Sequence, residues 1–522
     1  MSAIIVARAM QRTTTERALR RELSHHPASV AAAGLFLLAL ASVPVFSTSL
    51  PPLVDYPNHL ARFWLLSVGG NSFYGVRWAP LPNLAGDALV PLLAQIIPLQ
   101  LAGKLFLIAI LALILGGAAW LNRALTGGWR LWPLIAALFL YNRTFLWGFI
   151  NYLFSLGIAL CGAALWLRLE DARSWVRVLL SSLTALLCFF SHIAAFGVYA
   201  LVIVGFEAPL AISEARGPAW RAFARRIALV VPQFAIPLAL GLGSWRSTPS
   251  DVHYGAFSRK ADLLFSVFDN YNRTFDIACF TVLLVLLAAL TWSGRMRILS
   301  RSGLPLAFVL AAYLLLPSQI LSGSGADHRI AVAVFVFMAA STAPQFANRR
   351  EAIALGVVLL SVFVIRIGVI ESVWVAADRI YQADIAAIDQ LPVGSTVAVA
   401  FPSDAVNATP IPMLHLPTLA VARRAAFVPT LFTDPAQQPV FVKAPYDRLA
   451  AASSPELWWS AFVVGNVAAQ RRLSPMLDDW TAIAFVDRQS FHVQAFPCLE
   501  SLISQTTFQL FIVKHDHHCS LD

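Results

Sequence analysis

Long apolar runs, separated by short polar connections, repeat along residues 31 to 373, and each is near the length that crosses a hydrocarbon layer or somewhat short of it. The runs lie at 31–48, 100–120, 131–141, 147–167, 178–190, 194–212, 227–243, 277–293, 303–320, 330–346 and 352–373. They predict a polytopic α-helical membrane protein with about eleven transmembrane helices. The runs at 131–141 and 178–190 are the shortest, and we read each as one arm of a tight hairpin with its successor. Beyond residue 373 the pattern changes to that of a small mixed α/β module. Ser395 to Phe401, Thr481 to Asp487 and Phe508 to Lys514 read as strands. Pro455 to Gly465, Asn466 to Arg472 and an entry segment Gln382 to Gln390 read as helices.

Composition agrees: 58% of the 522 residues are hydrophobic and only 13% charged. A net charge of +10 would suit nucleic acid, but the arginines fall in short clusters between apolar runs, so the charge reads as topology and not as a nucleic-acid footprint. With the N-terminus inside, every internal connection carries arginine: Arg123 and Arg130; Arg168, Arg173 and Arg177; Arg216 to Arg226; Arg295 to Arg301; Arg349 and Arg350. The expected organisation is a basic cytoplasmic tail (1–30), a membrane domain (31–373) with a long first external loop (49–99), and an extracytoplasmic domain (374–522). The first thirty residues hold five Arg and no short apolar core with a cleavage site, which reads as an uncleaved first helix. Cys161, Cys188 and Cys279 lie in apolar runs, whereas Cys498 and Cys519 would pair if the tail faces an oxidising compartment.

The most unusual polar stretch is Asp55-Tyr56-Pro57-Asn58-His59-Leu60-Ala61-Arg62-Phe63-Trp64, shortly after the first span. Pro57 favours a helix start, with Asn58, His59 and Arg62 toward one face and Leu60, Phe63 and Trp64 toward lipid. Asp55 then has two readings: a general base for an acceptor hydroxyl, or the helix N-cap. His59 and Arg62 suit a lipid-linked phosphate, with interfacial snorkelling the plain reading of Arg62. An amphipathic run, Ala88 to Gln100, is expected along the interface.

The other external segments add candidates. Tyr141-Asn142-Arg143-Thr144-Phe145 recurs as Tyr271-Asn272-Arg273-Thr274-Phe275, both at external faces; no wider repeat accompanies the pair. Asn142, Arg143 and Arg273 join the candidate substrate-binding set. His192 interrupts a long apolar stretch and marks either a site or a hairpin turn. Asp327, His328 and Arg329 follow Gly323 and Gly325, a loop that lets backbone N–H groups approach a phosphate or that simply caps a helix. Arg259 and Lys260 read as a solvated charged stretch. The terminal run Lys514 to Cys519 has metal-ligand chemistry, but so near the chain end it reads as adventitious, so no metal site is assigned. P-loop, dinucleotide, G-x-S-x-G and H-E-x-x-H patterns are absent from the sequence.

A basic N-terminus, one span, a long external loop with an early acid, many further spans and an external C-terminal domain resemble the GT-C superfamily of integral-membrane glycosyltransferases. The residues that carry the likeness are Leu53 to His59 around Asp55 and the late glycine-bearing loop ending at Arg329. The resemblance implies a bacterial cytoplasmic-membrane enzyme that moves a sugar, with inversion, from a polyprenyl-phosphate carrier to a cell-envelope acceptor at the outer face. Asp55 would be its general base, and Arg329 with His192 or His59 would neutralise the departing phosphate. Tyr56 stands where many members carry a second acid, which points to a metal-independent reaction without a cofactor. A transporter or flippase of a lipid-linked substrate is the main alternative, and a glycan polymerase or ligase the next. Arg366, late in the last run, is the isolated intramembrane charge that a transporter would use.

Overall fold

The computed structural model describes residues 25–215, 220–245, 252–320, 323–403 and 412–515. Most of the N-terminal tail, Arg216 and the tail run from Asp516 through Cys519 lie outside these. Among the described residues, seven helices are long and apolar enough to cross a membrane: Pro27–Ser47, Leu99–Thr126, Ile150–Arg168, Ser174–Ser191, Ile193–Ala215, Arg273–Trp292 and Arg349–Ile388. An eighth span arises if Trp220–Val230 and Pro232–Leu242, bent by 46°, count as one; Pro232 lacks the N–H that would carry the helix through the bend.

Three expected spans take shorter forms. The run at 131–141 is a 3-10 helix, Trp132–Phe139, of eight residues, about 16 Å at the 3-10 rise and roughly half the hydrocarbon thickness. The late runs form Gly303–Leu315 and Ala326–Ser341. In contrast, Arg349–Ile388 has 40 residues, about 60 Å and twice that thickness. The segment expected as an entry helix, Gln382 to Gln390, is mostly its far end.

Contacts divide the chain into two compact units. One comprises Met1–Val43, Ile108–Thr144 and Ile150–Val369; the other comprises Pro44–Leu107, Phe145–Phe149 and Ile370–Asp522. In the first, helices Ile150–Arg168, Ser174–Ser191 and Ile193–Ala215 pack together. A Cβ at Gly162 would stand 2.3 Å from Thr184 and 3.0 Å from Tyr199, so a small residue sets how closely these helices approach, as in other membrane bundles. Arg366 is fully buried there and paired. It donates to Asp276 at 2.6 Å and to the Tyr141 carbonyl at 2.5 Å, and lies over the Phe268 ring. The isolated charge of the sequence is thus a brace between helices.

The second unit holds a four-stranded sheet in the order Leu499–Ser504, Phe508–Val513, Ala482–Val486, Val397–Ala400. Its last pair is parallel (Val397 opposite Ala482) and the others antiparallel. The three expected strands are present, and Leu499–Ser504 is an additional edge strand. A second pairing joins Tyr74–Val76 of the first loop to Val440–Val442. A Cβ at Gly75 would enter the Phe441 ring, 2.4 Å from its nearest atom, so a larger residue there would have to displace that ring. Cys498 is disulfide-bonded, whereas Cys161, Cys188 and Cys279 are free; Cys519 lies outside the described residues.

Candidate functional site

Helix Tyr56–Val68 starts with Pro57 in its first turn and ends on Gly69 in the left-handed region, as the sequence expects. Its apolar flank is not turned to lipid. Leu60 and Phe63 are buried within the second unit, because the C-terminal segment covers the helix. Asn58 clamps that segment in both directions: its amide donates to the Thr430 carbonyl at 2.8 Å and its oxygen accepts from Phe432 N–H at 2.9 Å.

Asp55 stands at the N-cap position, yet its side chain makes no capping hydrogen bond. Only its backbone joins the helix, accepting from His59 N–H at 2.9 Å. The Asp55 N–H donates to the Trp147 carbonyl at 3.1 Å. Next to Trp147, Gly148 has φ +85°, and a Cβ there would lie 2.9 Å from the Asp55 Cβ. The short segment Phe145–Phe149 is therefore pressed against Asp55, and its glycine makes the close approach feasible. Asp55 is 8% exposed.

Behind it runs a buried polar chain. His59 Nε2 lies 3.0 Å from the Gly148 carbonyl, so this nitrogen carries the proton and donates; Nδ1 then accepts from Arg62 Nη2 at 3.2 Å. Arg62 forms a fork on Asp87, Nε to Oδ1 at 2.6 Å and Nη2 to Oδ2 at 2.9 Å, with both side chains wholly buried. Burial first, and the Arg62 charge second, hold the His59 imidazole well below the ordinary histidine range. The guanidinium expected to snorkel or to hold phosphate is committed to Asp87, and its Nη1 has no partner. The chain Asp87–Arg62–His59–Gly148 fixes the segment that presses on Asp55.

A residue that the sequence did not single out completes this group. His415 Nε2 lies 3.5 Å from Asp55 Oδ1, and its ring packs edge-on against Phe432 at 5.0 Å. Burial pushes its pKa down to about 4, so at neutral pH it faces the carboxylate as an uncharged ring. Nothing in Met413 to Pro417 announces it: the segment is apolar and lacks a period.

The remaining candidates gather in the first unit. Asn142 is buried and donates to the carbonyls of Phe139 and Leu140, closing the 3-10 helix. Arg143 donates through Nε to Asp269 at 2.7 Å and lies 3.6 Å from Asp262. Arg273 reaches the other oxygen of Asp262 at 2.5 Å. The two copies of the pentapeptide thus place their arginines on one carboxylate of helix Phe257–Phe265. Lys260 of that helix, expected in solvent, is buried and donates to Asp327 at 3.1 Å and to the Leu316 carbonyl at 2.7 Å. Arg259 donates to His328 Nε2 at 3.1 Å. Gly325, in the left-handed region, starts helix Ala326–Ser341, and the Asp327 carboxylate accepts from His328 N–H at 3.1 Å.

His192 is the extended break between two helices; its Nδ1 accepts from Ala194 N–H at 3.1 Å. Tyr152 joins it to the late loop, its ring edge-on to His192 and its hydroxyl donating to the Arg329 carbonyl at 2.6 Å. The charges of Arg143, Arg259, Lys260 and Arg329 all bear on His328. With Arg273, five cations among the described residues share this region with the carboxylates of Asp262, Asp269 and Asp327.

The sequence matches no protein-family model and no curated protein. It does resemble solved structures in fold. ArnT from Cupriavidus metallidurans bound to undecaprenyl phosphate superposes with TM-score 0.50 at 11% identity, over 91% of this chain and 97% of that one. Apo ArnT from the same organism gives TM-score 0.45 at 11% identity, over 93% and 98%. The polypeptide shares the overall fold of the ArnT structure bound to undecaprenyl phosphate, with a small strand-containing C-terminal domain.

Proposed function

We propose that this protein is a membrane glycosyltransferase that moves a sugar from a polyprenyl-phosphate carrier to an acceptor at the outer face of the cytoplasmic membrane, with Asp55 as general base. The observation that carries the reading is Asp55 itself: a carboxylate mostly withdrawn from water, at a helix start it does not cap, held from behind by a buried polar chain. A capping aspartate would be explained by the helix alone; this one is not. The fold likeness to ArnT bound to undecaprenyl phosphate supports a lipid-phosphate donor. The Cys498 disulfide suits an oxidising compartment for the C-terminal domain.

In this reading Asp55 takes the proton of the acceptor hydroxyl as its oxygen bonds the anomeric carbon. The carbon–oxygen bond to the carrier breaks with its electron pair going to the phosphate. One in-line displacement inverts the anomeric centre. The developing phosphate charge needs fixed cations, a role we assign to Arg329 and its neighbours Arg143, Arg259, Lys260 and Arg273, with Asn142, His192, Asp327 and His328 as further candidate donor-binding residues. Neutral His415 donates toward Asp55 and orients it. Cations take the part that a metal would otherwise play, so the reaction is proposed to need neither metal nor cofactor.

The test is transfer of labelled sugar from a synthetic polyprenyl-phosphate donor in proteoliposomes. Asp55→Asn keeps both backbone hydrogen bonds of the residue, so thermal stability should hold while turnover falls by about 10²- to 10⁴-fold, the usual contribution of a general base. Full activity in a folded Asp55→Asn protein would remove the assignment. Movement of unmodified donor across the bilayer, without transfer, would favour the flippase.

A further inference from the structure

Helix Arg349–Ile388 runs on past the apolar stretch 352–373, and its far end belongs to the second unit. There Trp374, Asp378, Tyr381, Asp384, Ile385 and Ile388 are buried at helical spacing, so one face of the helix is covered. Three aspartates follow one another along this end and its exit, and two are engaged. Asp378 accepts from Ser49 N–H at 2.8 Å and Leu50 N–H at 2.9 Å; Asp389 accepts from Arg423 Nε at 2.6 Å. Asp384, between them, is wholly buried, and among the described residues neither oxygen of its carboxyl has a hydrogen-bond partner. The cations of the neighbouring segments are committed elsewhere. Lys104 donates to the Thr48 carbonyl, Arg423 holds Asp389, Arg424 donates to the Leu391 carbonyl, and Arg379 is exposed. A carboxylate in such a place has lost its water without gaining a partner, and burial alone pushes the Asp384 pKa up to about 7. The same helix face supports the surroundings of Asp55 from two sides. Trp374 stacks on Phe145, the first residue of the segment pressed on Asp55, and the Ser49 and Leu50 amides held by Asp378 lead into Leu53 to Asp55.

We propose that Asp384 is a proton-operated switch: as the neutral acid it lets the second unit close on this helix face, and as the carboxylate it loosens that packing and with it the supports of Asp55. The step is protonation alone. As pH rises the carboxyl gives its proton to water, and the anion regains hydration only where the packed face opens. An unfolded carboxyl titrates near 4, the folded one near 7, so between those values the folded chain holds a proton that the unfolded chain lacks. The stability that depends on this residue is therefore present below about pH 4 and lost as pH rises through about 7. That sign is opposite to the one buried histidines give. The effect on turnover rests on the proposed function; the effect on packing does not.

The experiment compares full-length wild type in detergent with Asp384→Asn, which keeps the shape of the side chain and stays uncharged. Thermal unfolding is followed from pH 4 to 8. The two proteins should melt together near pH 4 and diverge as pH rises, the variant melting higher by roughly 5–15 °C at pH 7.5. His59 and His415 titrate in both proteins alike, so the difference between the curves isolates Asp384. Asp384→Leu, apolar and of similar size, should diverge from wild type in the same way. Hydrogen exchange reads the loosening directly: the Ser49 and Leu50 amides should exchange faster in wild type than in Asp384→Asn at pH 8, and equally at pH 5. Wild-type sugar transfer should decline between pH 7 and 8.5, with the decline absent in Asp384→Asn. Melting curves that stay parallel, or variants that melt below wild type at pH 7.5, would overturn the switch. Equal exchange at pH 8 would overturn its link to the supports of Asp55. Diverging curves in a protein that transfers no sugar would uphold the switch and remove the transfer reading.

Discussion

The buried fork between Arg62 and Asp87 allows the sharpest test of what the long segment after the first helix does. Asp87→Asn keeps the shape of the side chain but leaves a guanidinium, wholly buried, facing a neutral amide. Removing one partner of such a pair costs about 3–5 kcal/mol, since the remaining charge has neither water nor counter-ion. At about 2–4 °C per kcal/mol for a cooperative unit of this size, the apparent melting temperature should fall by roughly 6–20 °C. Replacing both partners, Arg62→Met with Asp87→Leu, should restore most of the loss, because well-packed apolar pairs often match buried ion pairs. The double variant would still lack the Arg62 hydrogen bond to His59, so kcat should stay depressed while KM for the donor changes little. Thermal unfolding in detergent and steady-state transfer separate these effects. If Asp87→Asn melts like wild type and instead raises KM for the polyprenyl-phosphate donor, Arg62 faces ligand and the bracing role is wrong.

Two other predictions concern the neighbours of Asp55. His415 and His59 are buried with pKa values below the unfolded reference of about 6.5, so the unfolded chain binds more protons and stability is lost as pH falls from about 6.5 toward 4. For His415 alone the loss is on the order of 3 kcal/mol across that window, and His415→Gln should flatten the melting temperature against pH there; an unchanged slope refutes it. Gly148→Ala adds a methyl 2.9 Å from the Asp55 Cβ at φ +85°, and should cost roughly 1–3 kcal/mol with kcat reduced more than KM. Wild-type turnover from that variant would show that the segment does not position the acid.

How much of this was legible in the chain follows from the range of each interaction. Continuous apolar runs fix a helix by themselves, so the long spans stand near where hydropathy places them, and three of four sheet strands show their own alternation or β-branched content. Leu499–Ser504 did not, because it is an edge strand whose side chains are mostly exposed or half-buried, with little apolar period to read. The run at 131–141 is apolar all round, but hydropathy reports burial and not helix type; inside protein, a short 3-10 segment is as apolar as a span. Leu60 and Phe63 were read as facing lipid for the same reason, since the pattern cannot say whether lipid or polypeptide covers an apolar flank.

Charges are harder still, because a partner can come from anywhere in the chain. Arg62 has its acid 25 positions on, Arg366 its acid 90 positions back, and Asp55 its imidazole in a segment that carries no period. The pentapeptide is instructive here. Two identical short sequences, 130 positions apart by their numbering and with no repeat around them, gave only separate candidate contacts. In the fold their arginines meet at Asp262, one on each oxygen, and so hold helix Phe257–Phe265 from two sides. That helix supplies Arg259 and Lys260 to His328 and Asp327. The loop that looked like loose surface charge is the support for the late glycine-bearing loop, and the cations are prearranged before any phosphate arrives. Under the proposed function, these held cations would be the ones to meet the leaving phosphate, and fixed charges stabilise a leaving group with less reorganisation than water needs.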